Sequence, residues 1–324
     1  MNSKLLTREE VASLYKRGLL SLVYEATQTH RREHDPSEIQ CASLLSIKTG
    51  GCAEDCAYCP QSAHYQTEIR SEQLISVDAV TQAAKNAKSG GADRFCLGAA
   101  WREVNDGPEF DSVLKMVEKI KSAGLETCVT LGMLKPEQAI RLKEAGLDYY
   151  NHNLDTGRNF YSKIITTRNY DDRLNTLSAV RKAGIKVCCG GILGMGESHE
   201  DRIDLLYELA SQTPQLESVP INTLVAVEGT PLAAQKEIPW DDLVRVIATA
   251  RILMPRAKIR LSAGRLHMTD TLQAFCFLSG ANSIFLGDRL LTTPNAPSDQ
   301  DFALLERLGL QSVRESREQN TNPS

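Results

Sequence analysis

The feature that most constrains the fold is a regular alternation of short β-rich segments with amphipathic helices. Many of the helices end in Ala-Gly or Ser-Gly, and the next strand is predicted to begin two or three residues later. The predicted strands span residues 42–47, 94–97, 126–131, 148–154, 186–193, 218–227, 258–263 and 283–286. The predicted helices that follow them span residues 77–88, 110–123, 136–145, 171–183, 199–212, 240–253, 269–280 and 300–308. Eight such units predict an α/β fold, a closed (β/α)8 barrel of the TIM type.

One alternative fold is a doubly wound open sheet, which would carry a Gly-x-Gly-x-x-Gly turn after its first strand. That turn is missing, and Gly194-Met195-Gly196 is only an isolated fragment of such a pattern. Residues 1–37 are predicted to form an N-terminal helical extension, with Thr7 capping a first helix to Leu20 and a second helix over 21–34. The barrel is predicted to span 38–311, and the polar tail 312–324 is predicted to be disordered.

Composition narrows the class of protein and its partners. The chain is 42% hydrophobic and 24% charged, as expected for a globular protein with a large core. A net charge of −4 gives no basic excess, so we expect no nucleic-acid partner. No segment has the pattern of a signal peptide or membrane span, so we expect no membrane association and a cytoplasmic location. Nine cysteines, an odd number, are unlike a disulfide framework and are interpreted as metal ligands or core thiols.

Three cysteines, Cys52, Cys56 and Cys59, lie within eight residues directly after the first predicted strand. Thiolates are soft ligands that suit iron-sulfur clusters or zinc. A structural zinc needs four protein ligands, and the nearest further candidates are Cys41 and His64. Either the loop recruits a distant fourth ligand, or one iron of a cubane cluster stays open to a small molecule.

A second group of side chains occurs at equal offsets on four predicted strands. Each lies two residues after the predicted start of its strand, and the group is Cys96, Cys128, Cys188 and Arg260. Equal offsets predict that all four point into the barrel at similar depth, although a single buried cysteine is commonly a core residue. A buried arginine requires an anionic partner, which a sulfur-rich site would provide. Cys189 has the opposite parity and is interpreted as packing, as are Cys41 and Cys276.

Strand four carries alternating polar residues that are predicted to face a ligand. Asn151, Asn153 and Asp155 share one face of an extended strand, and three polar groups directed into a barrel need partners. His152 has the opposite parity and is interpreted as structural.

Further polar candidates lie at the predicted mouth of the barrel. Asn222 is either a binding amide or a strand-end turn residue, and Arg173 either meets a carboxylate or lies on a solvated helix face. Thr292 and Thr293 follow the last strand, where TIM barrels often bind anions.

The cysteine spacing, with Tyr58 before the last cysteine, resembles the cluster loop of the radical S-adenosylmethionine enzymes. From about residue 44 to 295 the chain resembles the biotin synthase family within that superfamily. The segments that carry the resemblance are CAEDCAYCPQS (52–62), RFC (94–96), YYNHNLDT (149–156), GIKVC (184–188), SVPIN (218–222), RLSAGR (260–265) and LTTPN (291–295). Because these segments follow in order across the predicted barrel, the resemblance is more specific than the cysteine triplet alone.

The resemblance implies two clusters and a set of ligand contacts. It implies that a 4Fe-4S cluster, whose fourth iron binds S-adenosylmethionine, is held by Cys52, Cys56 and Cys59. It implies that a deeper 2Fe-2S cluster is held by Cys96, Cys128, Cys188 and Arg260. Contacts to S-adenosylmethionine are implied for Asn153 and Asp155 (ribose), Arg173 (carboxylate) and the backbone around Tyr58, Ile192 and Val225 (adenine). Contacts to dethiobiotin are implied for Asn151, Asn222, Thr292 and Thr293.

The activity implied by the resemblance is the conversion of dethiobiotin to biotin, a sulfurtransferase reaction that ends biotin biosynthesis. Saturated C–H bonds offer no acidity to a general base, so radical chemistry must come from cofactors and no side chain is assigned as catalytic. In the family, the reduced 4Fe-4S cluster cleaves S-adenosylmethionine to a 5'-deoxyadenosyl radical, and the 2Fe-2S cluster supplies sulfur. The resemblance also implies a homodimer and flavodoxin or ferredoxin as electron donor.

Four other interpretations remain open on the sequence. Lipoyl synthase also inserts sulfur but uses a second cysteine-rich motif, and no second close cysteine triplet occurs here. A radical enzyme of the hydrogenase-maturation type is also possible, and a test with dethiobiotin as substrate would distinguish it from the biotin synthase family. A barrel with structural zinc would be indicated by a colourless protein that contains zinc and no acid-labile sulfide. A pure scaffold would leave the group of Cys96, Cys128, Cys188 and Arg260 without a purpose.

Overall fold

The structure is a computed structural model that describes residues 6–314 and residue 316. The strands are β1 Glu38–Lys48, β2 Arg94–Ala99, β3 Glu126–Thr130, β4 Tyr149–Asn151, β5 Lys186–Cys188, β6 Gly191–Leu193, β7 Ser218–Thr223, β8 Lys258–Leu261, β9 Ser283–Leu286, β10 Arg289–Leu290, β11 Thr293–Pro294 and β12 Gln311–Ser312. The α-helices are α1 Arg8–Tyr15, α2 Leu19–Glu33, α3 Val77–Ser89, α4 Pro108–Ser122, α5 Pro136–Glu144, α6 Arg158–Tyr161, α7 Tyr170–Lys182, α8 His199–Ser211, α9 Trp240–Leu253, α10 Asp270–Leu278 and α11 Ser298–Arg307.

The main sheet closes on itself as a parallel barrel. Strands pair in the order β1, β2, β3, β4, β5, β7, β8 and β9, and β9 returns to pair with β1, where Gln40 lies opposite Ser283. Strand β6 continues from β5 and pairs with β7, so the two short strands share one position in the barrel. The predicted (β/α)8 barrel is therefore confirmed.

The fifth barrel position differs most from the prediction, which placed one continuous strand over 186–193. The structure has β5 and β6 separated at Cys189 and Gly190. A Cβ atom on Gly190 would lie 1.9 Å from the carbonyl oxygen of Pro220 in β7, so only glycine allows this approach of the two backbones. Pro220 also has no N–H to donate to a neighbouring strand. The single predicted strand is thus wrong, because a contact distant in sequence interrupts it.

Four other predicted strands are too long, most of all the fourth and the sixth, and several short elements were not predicted. Strand β4 ends at Asn151 and β7 ends at Thr223, where the predictions extended to 154 and 227. Helix α6, the β10–β11 hairpin and β12 are built from elements of four residues or fewer. Such short elements carry too little hydrophobic periodicity to be predicted from sequence.

The N-terminal helices pack against the outside of α8 and α9. Thr7 caps α1 through a capping box, in which Glu10 N donates to Thr7 Oγ1 at 3.2 Å. Helix α1 ends at Tyr15, five residues before the predicted end at Leu20. Helix α2 begins at Leu19, directly after Gly18, two residues before its predicted start. Arg245 of α9 donates to the carbonyl oxygens of Tyr15 and Arg17, both at 2.7 Å. These contacts join the extension to the barrel.

The structure describes only residues 312, 313, 314 and 316 of the tail that was predicted to be disordered. Ser312 lies in β12 and pairs with Ile39 of β1. The rest of that predicted tail, apart from residues 313, 314 and 316, lies outside the described residues. Among the residues that are described, no helix is both long and apolar enough to cross a membrane.

The apolar core has two layers. The larger layer fills the space between the barrel and its surrounding helices. The smaller layer lies in the barrel lumen and comprises Ala42, Cys96, Cys128, Tyr149, Cys188, Phe285 and Leu290. Three of the four side chains grouped by strand offset therefore lie together in the lumen core.

Candidate functional site

One cavity of about 330 Å³ extends from the lumen core to the loops after the carboxyl ends of the strands. Every residue assigned to a site from the sequence lines it: Cys52, Cys56, Tyr58, Cys59, Cys96, Cys128, Asn151, Asn153, Asp155, Arg173, Cys188, Ile192, Asn222, Val225, Arg260, Thr292 and Thr293. His152 also reaches its wall, and burial holds the pKa of this imidazole well below its usual value, as suits a neutral structural histidine.

The cysteine loop after β1 folds back on itself at the cavity. Cys52 N donates to Gln61 O at 3.0 Å, and Ala63 N donates to Cys52 O at 2.7 Å. Cys59 N donates to Cys56 O at 2.9 Å in a tight turn. Gly50 begins the loop with φ of +68°, and a Cβ atom there would lie 2.7 Å from Arg70 O. This local geometry brings the three cysteines to one wall of the cavity.

The three thiols are not gathered around a common point. Within the described part of the chain, no three His, Cys, Asp or Glu side chains are close enough to hold one metal ion. A 4Fe-4S cluster binds each cysteine at a different iron, so it requires thiols at separate corners. Burial raises the pKa of Cys56 to about 12 and of Cys59 to about 11, so each thiol would have to release a proton on binding metal.

The loop is held by a segment that sequence reasoning missed. Asp55 accepts hydrogen bonds from the backbone N–H groups of Thr166 at 2.9 Å and Thr167 at 3.1 Å. Ala57 N also donates to Ile164 O at 2.9 Å. Burial alone would raise the pKa of Asp55, but the hydrogen bonds from Thr166 and Thr167 lower it to about 2. The segment Ile164–Arg168, between α6 and α7, therefore fixes the loop that carries the cysteines.

The deeper thiols lie close together on β2, β3 and β5. Cys96 of β2 is opposite Cys128 of β3, and Cys188 ends β5 beside Asn151. A hydrogen bond with the Cys128 thiol lowers the pKa of Cys188 to about 5, aided by the charges of Arg260 and Arg94. The same three neighbours lower the pKa of Cys96. Three buried thiols beside two buried cations fit an anionic iron-sulfur cluster.

Two buried arginines accompany these thiols. Arg260 donates to Ser283 Oγ at 2.9 Å and to Gln40 Oε1 at 3.2 Å, both neutral acceptors. Arg94 pairs with Glu126 at 3.0 Å and lies over the Tyr149 ring, 3.5 Å from its centroid. Sequence reasoning found Arg260 but missed Arg94, although Arg94 is two residues before Cys96 and so has the same parity.

At the mouth of the barrel, the Asp155 carboxylate accepts hydrogen bonds from two other residues that were predicted to contact S-adenosylmethionine, Tyr58 and Arg173. Tyr58 OH donates to Asp155 Oδ2 at 2.9 Å, and Arg173 Nη2 donates to the same oxygen. Arg173 also donates to Asn153 O at 2.6 Å and to Tyr161 OH at 2.9 Å. Arg173 is thus buried in the site, and the alternative of a solvated helix face is wrong. Asp155 has φ of +67°, a left-handed conformation that aspartate tolerates better than most residues.

The amides lie between the mouth and the thiols. Asn151 Nδ2 lies 3.3 Å from Cys188 Sγ and 3.2 Å from Asn153 Oδ1. Asn153 follows β4 rather than belonging to it, and its Oδ1 accepts from Gly190 N at 3.1 Å. Asn222 lies within β7, donates to Gly191 O at 3.0 Å and accepts from Ala263 N at 3.1 Å, so the alternative of a strand-end turn residue is wrong.

The two threonines lie in and beside the short hairpin above the lumen. Thr293 begins β11, and its hydroxyl donates to Leu290 O at 3.2 Å. Leu291, which precedes Thr292, has φ of +50° and closes the turn between β10 and β11. The hairpin thus brings both threonines to the cavity wall.

Comparisons with known proteins agree with this geometry. A family model described as the Radical SAM superfamily matches residues 46–210, and one described as the Biotin and Thiamin Synthesis associated domain matches residues 220–311. Similar solved structures include methylornithine synthase, with a TM-score of 0.79, 18% identity and coverage of 99% of this chain and 98% of that chain. The [FeFe]-hydrogenase maturase HydG gives a TM-score of 0.80 at 17% identity, covering 96% of this chain and 73% of that chain. At such identities these structures show the fold alone.

Curated relatives are much closer in sequence. The biotin synthase of Methylobacterium nodulans is 60% identical over 94% of this chain and 92% of the relative. The biotin synthase of Nitrosococcus oceani is 59% identical over 93% of this chain and 87% of the relative. With a radical S-adenosylmethionine barrel and these relatives, the chain belongs to the biotin synthase family.

Proposed function

We propose that this chain inserts sulfur into dethiobiotin to form biotin, the last step of biotin biosynthesis, as a sulfurtransferase. The observation that carries the proposal is the convergence of two separate thiol sets in one cavity, with amides and hydroxyls between them. A chain of the biotin synthase family needs such an arrangement, because the reaction must break unreactive C–H bonds and then deliver sulfur to the same carbons.

We further propose that the two thiol sets hold different clusters. Cys52, Cys56 and Cys59 would hold a 4Fe-4S cluster, which leaves one iron for S-adenosylmethionine. Cys96, Cys128, Cys188 and Arg260 would hold a 2Fe-2S cluster within the lumen. When bound, these groups supply single electrons, radical generation from S-adenosylmethionine and sulfur, which no amino-acid side chain provides. The electropositive surroundings of Cys96 and Cys188 support the second assignment.

Arg173, Asp155 and Asn153 would bind S-adenosylmethionine, with the backbone near Tyr58, Ile192 and Val225 enclosing its adenine. The Arg173 guanidinium is held in place by Asp155, Tyr161 and the carbonyl of Asn153, so it is oriented before any carboxylate arrives. Preorganised donors of this kind bind an anion with little cost of ordering. These residues position the ligand and exclude water from it.

Asn151, Asn222, Thr292 and Thr293 would bind dethiobiotin. The contact of Asn151 Nδ2 with Cys188 Sγ at 3.3 Å supports this role for Asn151, because it brings the amide beside the deep thiols. Hydroxyls of the β10–β11 hairpin would hold the substrate carboxylate at the opposite wall. The substrate would therefore lie between the two thiol sets, as transfer of sulfur requires.

We also propose that the protein works as a cytoplasmic homodimer that receives electrons from flavodoxin or ferredoxin. The support for these points is the family resemblance. Sedimentation of the purified protein, and reduction of its clusters by each donor, would test them.

The direct test of the activity is an anaerobic assay of protein reconstituted with iron and sulfide. Dethiobiotin, S-adenosylmethionine and a strong reductant are supplied, and biotin and 5'-deoxyadenosine are quantified together. Both products are expected. Deoxyadenosine without biotin would contradict the substrate or the second cluster, and a colourless zinc protein without acid-labile sulfide would contradict the proposal as a whole.

A further inference from the structure

Arg168 is a buried cation at the cavity that has no role in the function described above. Its side chain is only 7% exposed, and it lines the cavity with the cysteine loop. Its Nε and Nη1 groups are buried and have no hydrogen-bond partner among the described residues. Buried donors of a charged group are costly to leave unpaired. Arg168 therefore has hydrogen-bonding capacity that this part of the protein does not use.

The position of Arg168 is fixed by the same backbone that holds the cysteine loop. It directly follows Thr166 and Thr167, whose N–H groups bind Asp55 between Cys52 and Cys56. Arg102 Nη1 donates to Thr167 O at 2.7 Å and secures the segment from its other side. The backbone next to Arg168 is therefore tied to the loop that carries the three thiols.

The nearest anion, Glu54, does not satisfy Arg168. The closest approach is 3.7 Å, from Arg168 Nε to Glu54 Oε2, which is longer than a hydrogen bond. Glu54 is itself only 4% exposed, and it accepts a hydrogen bond from Thr167 Oγ1 and lies 3.6 Å from Arg102 Nε. Glu54 thus moderates the charge of Arg168 without occupying its donors.

Arg168 also differs from the neighbouring Arg173. Arg173 uses its three nitrogens on Tyr161, Asn153 and Asp155. Of the two cations, Arg168 is the one with buried nitrogens that have no hydrogen-bond partner among the described residues.

We propose that Arg168 is a positioning residue that donates hydrogen bonds to the sulfur atoms of the cluster held by Cys52, Cys56 and Cys59, and thereby raises its reduction potential. This inference rests on the proposed cluster site. A nearby cation and N–H donors stabilise the reduced cluster, which carries one more negative charge than the oxidised form. Glu54 opposes the effect, so the pair sets the potential at which the cluster accepts its electron.

The test is an anaerobic potentiometric titration of the 4Fe-4S signal in the reconstituted protein, without dethiobiotin. In Arg168→Gln we expect the ratio of reduced to oxidised cluster at a fixed potential to fall roughly tenfold, equivalent to about 59 mV for one electron. Arg168→Lys keeps the positive charge, so the ratio of reduced to oxidised cluster should fall less than in Arg168→Gln. Glu54→Gln should shift the ratio in the opposite direction. Lys163→Gln is the matched control, because it removes an exposed cation from the same connection between α6 and α7, and its ratio should stay within twofold.

Several outcomes would overturn the inference. An unchanged potential in Arg168→Gln would do so, as would shifts of the same sign in Arg168→Gln and Glu54→Gln. A tenfold loss of S-adenosylmethionine affinity at an unchanged potential would assign Arg168 to the ligand carboxylate instead. If Arg168→Gln does not retain the cluster, the reduction potentials of Arg168→Lys and Glu54→Gln decide. A lower potential in Arg168→Lys with a higher one in Glu54→Gln supports the inference, and any other pair of signs overturns it. Failure of the wild-type protein to take up four irons would instead contradict the proposed function, and iron and sulfide analysis separates the two cases.

Discussion

Cys188 and Cys189 are adjacent in sequence but lie in different layers of the molecule. Cys188 faces the lumen, 3.3 Å from Asn151 Nδ2, whereas Cys189 is buried in the layer between barrel and helices. We expect Cys188→Ala to abolish biotin formation and to leave 5'-deoxyadenosine formation largely intact, because only the proposed sulfur source is removed. The measurement is the yield of both products in the anaerobic assay.

Cys189→Ala is the matched control for this substitution. It removes a neighbouring thiol of the same size that does not line the cavity, so both products should form at near wild-type yield. If Cys188→Ala lost both products while its 4Fe-4S spectrum stayed normal, the division of roles between the two thiol sets would be wrong.

Asn153 is expected to contribute to the binding of S-adenosylmethionine. Its side chain lies at the cavity and is oriented by Gly190 N and Asn151. We expect Asn153→Ala to weaken binding by about 1 to 3 kcal/mol, the cost of one lost buried hydrogen bond. Equilibrium binding measures this, with the exposed Asn159→Ala as control. Unchanged affinity in Asn153→Ala would contradict the assigned role.

Parity and spacing predicted the residues inside strands, but contacts from distant segments could not be predicted. Side-chain direction in a strand follows a period of two, so equal offsets from the strand starts were enough to predict that four side chains point into the barrel. These are Cys96, Cys128, Cys188 and Arg260. The cysteine loop, in contrast, is held through Asp55 by a segment more than a hundred residues away. No local pattern encodes that pairing, so the support of the loop became visible only in the structure.

The break between β5 and β6 is the element on which the cavity wall depends. Gly190 N binds Asn153 Oδ1, and Gly190 O accepts from Leu154 N at 3.0 Å. We expect Gly190→Ala to destabilise the protein by about 1 to 3 kcal/mol, because its Cβ would overlap Pro220 O. Denaturant unfolding measures the loss. The substitution should also weaken S-adenosylmethionine binding, since it displaces Asn153.

Gly18→Ala is a suitable control for this element. A Cβ atom on Gly18 would have no described atom within 4 Å, and the φ of this residue is −56°, so alanine fits there without strain. Its unfolding free energy should stay within about 0.5 kcal/mol of the wild-type value. Equal losses in Gly18→Ala and Gly190→Ala would show that the close approach to Pro220 is not what requires glycine.

Long helices and buried strands were predictable because their hydrophobic periods extend over several turns or residues. Helix α9 has the predicted bounds, Trp240–Leu253, and β9 has the predicted bounds, Ser283–Leu286. The division of the fifth barrel position depends instead on Gly190 meeting Pro220, which lies far along the chain in β7. Periodicity within either segment contains no information about that contact.

At the scale of the whole molecule, the count of alternating elements was enough to predict closure of the barrel. The N-terminal helices add a feature that the count does not reveal, a buried histidine against the outer helices. His30 of α2 is 5% exposed, and its Nε2 has no hydrogen-bond partner within the described ranges 6–314 and 316. Burial lowers the pKa of His30 to about 3, and the charges of Arg251, Lys258 and Arg31 and the nearby His34 add to the effect.

This shift predicts how the stability of the molecule depends on pH. Above about pH 6.5, the usual pKa of histidine, His30 is neutral in both folded and unfolded chains and imposes no penalty. As pH falls from there towards about 3, the unfolded chain binds a proton that the folded protein does not, so the free energy of unfolding decreases. By about pH 5 the expected loss from His30 is about 2 kcal/mol.

Unfolding by urea at about pH 7 and about pH 5 tests this linkage. The wild-type protein should lose about 2 kcal/mol more than His30→Gln between the two pH values, because glutamine does not titrate. Comparing the change with pH in each variant removes any constant cost of placing glutamine in the core. His267→Gln, which replaces an exposed histidine, should retain the wild-type dependence. If His30→Gln and the wild-type protein lost the same free energy over this range, acid sensitivity would arise elsewhere than at the packing of the N-terminal helices on the barrel.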